Sequence, residues 1–177
     1  MAMTELIMAG FGGQGILSMG KILAYAGMLD EKNVSWLPSY GPEMRGGTAN
    51  CSVVVSDEEI GCPILNTCDV LIVMNGPSFD KFESSVVPGG TIIIDSSLVE
   101  RKLSRDDVTL YELPATSYTS DLGNQAFAGV MLLGKAIKAS GITTPERFEE
   151  ALKHILPERK HGMIPEEMKI LREGMEY

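Results

Sequence analysis

The sequence has few residues of the kinds that hold metals or redox clusters. Its 177 residues include three cysteines and two histidines. Cys51, Cys62 and Cys68 form no Cys-x-x-Cys pair, so we expect no iron–sulfur cluster held by this chain alone. An odd number of cysteines without paired spacing is typical of a reducing compartment. His154 and His161 lie near the C-terminus, where we expect solvated positions and no metal site.

Positive charge is also scarce, because 15 Lys and Arg stand against 24 Asp and Glu, for a net charge of −9. This balance disfavours nucleic acid as a partner, since phosphate backbones are bound by clustered Lys and Arg. It disfavours anionic membrane surfaces for the same reason. No apolar run approaches the roughly 20 residues of a membrane span, and residues 1–5 lack the basic region of a secretory signal. We therefore expect a cytoplasmic protein.

Strand-like and helix-like segments alternate along the chain. Its length and its 44% hydrophobic content predict a single domain over residues 1–177 with one sizeable core. The predicted strands are residues 5–9, 34–37, 49–56, 69–74, 91–95 and 108–113, and the predicted helices are 14–29, 77–86, 121–140, 145–156 and 165–174. Pro38 is predicted to end the second strand, and Pro88 to follow the second helix. The alternation predicts an α/β fold with three layers, α/β/α, around a mostly parallel, mixed central sheet.

The most informative segment is a glycine-rich run between the first strand and the first helix. Gly10, Gly12 and Gly15 follow the Gly-x-Gly-x-x-Gly spacing of phosphate-binding loops, with Gly13 and Gln14 between them. Glycines suit a sharp strand-to-helix turn that needs positive φ and no Cβ. The helix N-terminus then offers free N–H groups and a positive dipole end to an anion. Close packing of the helix on the sheet is an alternative reason for the same glycines.

One part of a nicotinamide-dinucleotide site is missing from its usual place. Such a site needs an acidic residue at the end of the second strand to bind a ribose. Asp30 and Glu31 lie before the predicted second strand, and the strand itself ends in Leu37, Pro38 and Ser39. This departure disfavours a nicotinamide nucleotide and leaves other phosphate-bearing ligands open.

A second glycine-rich loop follows the second strand and reads Tyr40-Gly41-Pro42-Glu43-Met44-Arg45-Gly46-Gly47. Glycines beside Arg45 would let the backbone approach another surface closely. The guanidinium could hold a phosphate or a carboxylate through two parallel hydrogen bonds. We favour a ligand or subunit contact over a Glu43–Arg45 surface pair, which would contribute little energetically.

No set of residues assembles a catalytic centre or a metal site. Both histidines fall in the predicted outer helical layer, so no Ser/His/Asp or Cys/His arrangement can be argued. The available acids Asp95, Asp106, Asp107 and Asp121 are interpreted as strand ends, turns or caps. A chain with phosphate-loop features and no chemistry of its own is interpreted as a subunit of a larger assembly.

Together these motifs resemble the gamma subunits of 2-oxoacid:ferredoxin oxidoreductases. The resemblance rests on the two glycine-rich loops and continues through residues 75–82 (Asn-Gly-Pro-Ser-Phe-Asp-Lys-Phe), 88–90 and 122–124. Gly129 and Glu167 depart from it, since the family often has Asn near these positions. The segments 40–48 and 75–82 look closer to the 2-oxoglutarate and branched-chain (ketoisovalerate) members than to the pyruvate members.

The resemblance implies a supporting role in a larger enzyme. The family's enzymes convert a 2-oxoacid, coenzyme A and oxidised ferredoxin to acyl-CoA, carbon dioxide and reduced ferredoxin. Thiamine diphosphate with magnesium is then expected between alpha and beta subunits, and iron–sulfur clusters in a beta or ferredoxin-like delta component. This chain would hold none of these cofactors and be inactive alone. The alternative is a free-standing nucleotide-binding or sensor domain of Rossmann-like fold.

The candidate contacts to coenzyme A, to a phosphate or to a partner subunit come from the two glycine-rich loops. They are Gly10, Gly12, Gly13, Gln14, Gly15, Tyr40, Glu43, Arg45, Gly46 and Gly47.

We predict that Arg45→Ala weakens assembly with alpha and beta partners or raises the apparent Michaelis constant for coenzyme A, because it removes a bidentate donor. Folding, followed by circular dichroism, should change little. Unaltered assembly and kinetics would show that Arg45 makes only a surface pair.

Overall fold

The computed structural model describes residues 3–40 and 48–177. Six strands form one sheet in the order β2-β3-β1-β4-β5-β6. The strands are β1 (Met3–Phe11), β2 (Asn33–Tyr40), β3 (Thr48–Ser56), β4 (Cys68–Val73), β5 (Val86–Asp95) and β6 (Thr109–Leu113). β1, β4, β5 and β6 pair in parallel, whereas β3 runs antiparallel to both β1 and β2. The sheet is therefore mixed, as the sequence predicts.

Helices cover both faces of this sheet. They are α1 (Ile16–Leu29), α2 (Gly76–Phe82), α3 (Ala115–Asp121), α4 (Ala128–Ser140), α5 (Pro145–Ile155) and α6 (Ile164–Glu176). The larger core lies between the sheet and α1, α4, α5 and α6, and the smaller one contains residues of α2 and of the segment 96–108. Leu6 and Met8 enter the larger core and Ile7 the smaller. This alternation buries the central strands on both faces and confirms the predicted three-layer α/β fold.

Local sequence signals account for two of the helices. In α1, Ile16, Met19 and Leu23 recur at helical spacing, and all three side chains are buried. At the start of α5, the Thr144 hydroxyl accepts a hydrogen bond from the Arg147 amide at 3.2 Å, with proline at the first helical position. The predicted cap of α5 is thereby confirmed.

Two predictions based on proline are wrong. β2 continues through Pro38 to Tyr40, because β2 is an edge strand, where a missing N–H can be tolerated. α2 ends at Phe82 and is followed by a 3-10 turn, so Pro88 lies inside β5 and does not follow a helix. The neighbouring Gly89 has a positive φ of 81°, and its amide donates to the carbonyl of Asp107 at 2.6 Å.

The helix predicted over residues 121–140 is present as α4, but its predicted start is wrong. α4 begins at Ala128, and α3 ends at Asp121, before a turn in which Gly123 has a φ of 79°. The left-handed conformation interrupts the helix at a residue that tolerates it. α3 was missed because its sequence is mostly polar, with only Ala115 and Thr119 buried.

Two glycines let α4 and α6 touch backbone to backbone. A Cβ on Gly134 of α4 would lie 2.0 Å from the carbonyl oxygen of Leu171 in α6. Reciprocally, a Cβ on Gly174 of α6 would lie 1.9 Å from the carbonyl oxygen of Met131. No side chain fits at either position without moving the helices apart.

One acidic side chain of α6 faces the interior. Glu167 is only 8% exposed. Burial raises the pKa of its carboxyl group to about 7, and the charge of Lys160 acts in the opposite direction. The carboxyl group therefore titrates close to neutrality.

We predict that Gly134→Ala lowers the free energy of unfolding by about 1–3 kcal/mol, because the added methyl forces two backbones apart. Thermal unfolding followed by circular dichroism measures the change. Gly162→Ala is the matched control, since that glycine is exposed and nothing lies within 4 Å of its Cβ position. Equal melting temperatures for the two variants would contradict the close helix contact.

Candidate functional site

The sheet has a topological switch point between β1 and β4. From β1 the chain crosses through α1 toward β2 on one side, and from β4 it crosses through α2 to β5 on the other. α1 and α2 contribute to cores on opposite faces of the sheet. The chain therefore diverges at the carboxyl ends of these two strands, which is where open α/β sheets bind ligands.

The glycine-rich loop at the end of β1 forms one side of this crevice. Gly13 and Gly15 have φ values of 90° and 77°, which confirms the predicted tight turn into α1. Gly10 serves a different purpose, since a Cβ there would lie 2.4 Å from both Gln14 Oε1 and Ile16 Cδ1. Gly12 lies exposed on the same turn. The sequence offered two explanations for these glycines: the tight turn accounts for Gly13 and Gly15, and close packing accounts for Gly10.

Gln14 ties the loop to the neighbouring strand. Its Oε1 accepts a hydrogen bond from the Phe11 amide at 2.6 Å, and its Nε2 donates to the Met74 carbonyl at 3.4 Å. The Met74 amide in turn donates to the Ala9 carbonyl at 2.9 Å. Both polar atoms of the Gln14 amide are hydrogen-bonded to backbone groups of this chain, so the side chain holds the loop in shape.

A cleft of about 390 Å³ opens beside the loop. It is lined by Gly13, Gln14, Gly15, Met74, Thr116, Gln125, Ala126 and Ala128. One wall is the glycine loop, and the other is formed by α3, the 3-10 turn after it and the start of α4. A volume of this size suits part of a small-molecule ligand. We call it the loop cleft.

A buried carboxylate holds the second wall in place. Asp95, at the end of β5, is 0% exposed, and its carboxylate accepts hydrogen bonds from the backbone amides of Ser97 at 3.1 Å and Thr116 at 3.2 Å. The Thr116 hydroxyl donates to it as well. α3 has no side-chain cap of its own, so Asp95 supplies from β5 the acceptor that its first turn needs.

Two contacts to α6 secure the same wall from the other side. The Tyr118 hydroxyl donates to the Glu173 carboxylate at 2.7 Å, and the Asn124 amide nitrogen donates to the Glu166 carboxylate at 2.6 Å. Donating this hydrogen bond to the Glu173 carboxylate raises the pKa of Tyr118. Sequence reasoning missed this wall, although Asn124 falls in one of the segments that carry the family resemblance.

A second, smaller cleft of about 220 Å³ lies at the N-terminus of α1. It is lined by Phe11, Gly13, Gly15, Ile16, Leu17, Ser18 and Ala49. No side-chain hydrogen bond caps the α1 N-terminus within the described residues. Gly13 and Gly15 line both clefts, so the loop stands between them.

Of the five candidate residues in the second glycine-rich loop, the structure describes one. Tyr40 is the last residue of β2, where its backbone pairs with Ala49. Glu43, Arg45, Gly46 and Gly47 lie outside the described residues. The structure therefore brings together the first loop's candidates, whereas the contacts of the second loop stay predictions.

The acid considered for a nicotinamide site is engaged elsewhere. The Asp30 carboxylate accepts a hydrogen bond from Arg147 Nε at 2.7 Å. Asp30 directly follows α1, whose 14 residues separate it from the glycine loop by about 21 Å. Its position does not fit ribose recognition at the loop.

The cysteines do not fit an iron–sulfur cluster. Cys51 lies in the larger core and Cys68 in the smaller one, on opposite faces of the sheet. Burial raises the pKa of each thiol to about 12, so neither is a ready thiolate ligand. Across residues 3–40 and 48–177, no group of three or more His, Cys, Asp or Glu side chains could hold a metal ion. Over the same residues, no helix is long and apolar enough to cross a membrane.

The fold and its crevice define an α/β domain with a cleft at the switch point of its sheet, and its sequence shows the family. Residues 5–177 match the family model of pyruvate ferredoxin/flavodoxin oxidoreductases. The chain therefore belongs to this family, as its motifs predict.

Curated relatives carry names from the 2-oxoacid branch of the family. Subunit VorA of ketoisovalerate oxidoreductase from Methanothermobacter thermautotrophicus is 40% identical over 171 residues, which cover 96% of this chain and 35% of the relative. Subunit KorC of 2-oxoglutarate synthase from Methanocaldococcus jannaschii is 35% identical over 156 residues, or 86% of this chain and 83% of that one. The chain thus spans about a third of VorA and most of KorC.

Solved structures agree with the fold. The gamma subunit of a keto/oxoacid ferredoxin oxidoreductase from Geobacter sulfurreducens superposes with a TM-score of 0.81 and 28% identity, over 98% of this chain and 96% of that one. A 2-oxoglutarate:ferredoxin oxidoreductase from Magnetococcus marinus gives a TM-score of 0.88 at 20% identity, over 99% of this chain and 31% of that one. The second likeness shows the fold alone.

We predict that Gln14→Ala lowers the free energy of unfolding by about 1–3 kcal/mol, because it removes one hydrogen bond to Phe11 and one to Met74, the residue directly after β4. Urea unfolding measures the change. The control is Gln125→Ala, an exposed glutamine of the same cleft, which should leave stability unchanged. If Gln14→Ala is as stable as the control, Gln14 does not tie the loop to the sheet.

Proposed function

We propose that the chain is the gamma subunit of a 2-oxoacid:ferredoxin oxidoreductase and works only in complex with partner subunits. The family match over residues 5–177 supports this, as does the similarity to KorC over most of both chains. Thiamine diphosphate, magnesium and iron–sulfur clusters would belong to alpha, beta and ferredoxin-like delta partners. The cytoplasmic location expected from the sequence stays part of this proposal.

The substrate of the complex would be 2-oxoglutarate or a branched-chain 2-oxoacid. The relatives named above are a ketoisovalerate oxidoreductase subunit and a 2-oxoglutarate synthase subunit. Similarity to a subunit common to pyruvate and ketoisovalerate oxidoreductases of Thermococcus litoralis is lower, at 28% identity. This ranking supports the preference drawn from residues 40–48 and 75–82.

The chain's own contribution would be to bind coenzyme A. The observation that carries this proposal is the loop cleft, which lies at the switch point beside a tight glycine turn. The Magnetococcus marinus neighbour is described with 2-oxoglutarate, coenzyme A and succinyl-CoA bound, so a ligand of this type accompanies the fold in that complex. Gly12, Gly13, Gln14 and Gly15 would shape the site, and Tyr40, Glu43, Arg45, Gly46 and Gly47 would approach it from the second loop.

Binding would assist the reaction through position. Holding the remote parts of coenzyme A on this subunit would place its thiol near the reacting acyl group in the partners and convert a bimolecular encounter into an oriented one. Asp95 and Gln14 would contribute by keeping the two walls of the cleft at a fixed separation. Neither residue would touch the reacting atoms.

We predict that the isolated chain shows no oxoacid-dependent dye reduction. Reconstitution with co-expressed alpha and beta homologues should give activity that requires coenzyme A. 2-Oxoglutarate, 2-oxoisovalerate and pyruvate are compared as substrates in one anaerobic assay, with the complex lacking this chain as the control.

Three outcomes would contradict the proposal. They are turnover by this chain alone, full activity of the complex without it, and failure to associate with the partners. Calorimetry of the isolated chain with coenzyme A, NAD and ATP addresses the free-standing alternative, which tight binding of NAD or ATP would support.

A further inference from the structure

An exposed apolar segment lies at the end of the sheet opposite the two glycine-rich loops. Residues 57–67 connect β3 to the amino end of β4 and form neither helix nor strand. β1 and β3 pair antiparallel over nine residues each, so their length places about 30 Å between this segment and either loop. The segment is therefore remote from the loop cleft.

Six consecutive residues of this segment carry no charge: Ile60-Gly61-Cys62-Pro63-Ile64-Leu65. We call them the apolar run. Ile64 is 65% exposed, the largest exposed fraction of any large hydrophobic side chain within residues 3–40 and 48–177. Cys62 and Pro63 before it are exposed as well. A single exposed apolar side chain is ordinary, whereas a contiguous exposed run indicates a contact surface.

Contacts inside the chain hold the apolar run in place. Leu65 packs against the smaller core, so the neighbouring Ile64 is presented to solvent at a defined point. The Cys62 thiol donates to the Ile64 carbonyl at 3.8 Å. At the start of the segment, the Glu58 amide donates to Ser56 Oγ at 3.0 Å. A partner would therefore meet Ile64 already positioned, which reduces the conformational entropy lost on binding.

Acidic residues stand directly before the apolar run. Asp57 pairs with Lys32, and Glu58 and Glu59 are exposed. Protein interfaces combine an apolar centre with a polar rim, and these two carboxylates would lie in such a rim. Their charge favours Lys or Arg on the partner. A second copy of this chain fits less well, because a two-fold contact would bring the same carboxylates together.

We propose that residues 57–65 dock on a partner subunit that presents an apolar pocket rimmed by Lys or Arg. Ile64 enters the pocket as the buried anchor, and Glu58 and Glu59 face the basic rim. This inference rests on the proposed function, since it names the surface through which the chain joins the alpha and beta subunits.

The first test measures the dissociation constant of this chain for the alpha–beta complex purified without it, by biolayer interferometry. Ile64→Ser should raise this constant by roughly tenfold or more, because it removes the apolar anchor. Ile64→Leu keeps the apolar volume and should bind like wild type. Met28→Ser is the matched control, since Met28 is 54% exposed near the end of α1 and its loss should leave binding unchanged.

The second test concerns the rim. Glu59→Lys should slow association by roughly threefold at low salt, because it places like charges opposite each other, and the effect should fade in about 0.5 M salt. Glu176→Lys changes the net charge equally at an exposed position of α6 and should slow association less. Because Glu59 is exposed, this variant keeps the test valid if Ile64→Ser folds poorly.

The proposal is overturned if Ile64→Ser binds no worse than Met28→Ser, or if Glu59→Lys associates as fast as Glu176→Lys. In both cases the wild-type complex still forms and the proposed function stands. A dimer of the isolated chain in analytical ultracentrifugation that Ile64→Ser abolishes would also overturn it, with a second copy as the occupant. A wild-type chain that does not bind the alpha–beta complex removes the proposed function and this inference together.

Discussion

The arrangement of the site depends on one buried negative charge. Asp95 ends β5 inside the protein and is stabilised by hydrogen bonds from Ser97 and Thr116. A carboxylate without such donors would be strongly destabilising at 0% exposure. The need to satisfy it therefore fixes where α3 starts relative to the sheet edge. The second wall of the cleft is a consequence of that placement, since α3 and the turn after it follow directly.

The first wall obeys a comparable constraint on a smaller scale. The Gln14 side chain accepts a hydrogen bond from the Phe11 amide and donates one to the Met74 carbonyl. Gly10 has no side chain, which leaves the space that the Gln14 side chain occupies. The loop is therefore shaped before any ligand arrives. A preorganised rim of this kind suits the proposed role, in which the chain positions a ligand for chemistry in partner subunits.

The structural features that depend on residues near one another in the sequence could be predicted. Those that depend on contacts between residues distant in the sequence could not. The glycine turn, the buried strand β4 and the capped start of α5 follow from local pattern. Pro38 misled the prediction because tolerance of proline depends on the position of β2 at the sheet edge, which a single strand does not reveal. Asp95 meets Thr116 across 21 residues, and Tyr118 meets Glu173 across 55. No local signal marks these pairs, so the second wall became visible only in the folded chain.

The buried Glu167 gives the fold an acid–base preference of its own. Its carboxyl pKa of about 7 in the folded chain lies above the ordinary value of 4.5. Because the native state holds this proton more tightly than the unfolded chain does, the contribution of Glu167 to stability is complete below about pH 4.5 and declines between these two values. By the time pH has risen through neutrality this contribution is lost, and an ionised carboxylate is then buried on the same helix that carries Gly174. At alkaline pH, the buried charge therefore destabilises the packing of α6.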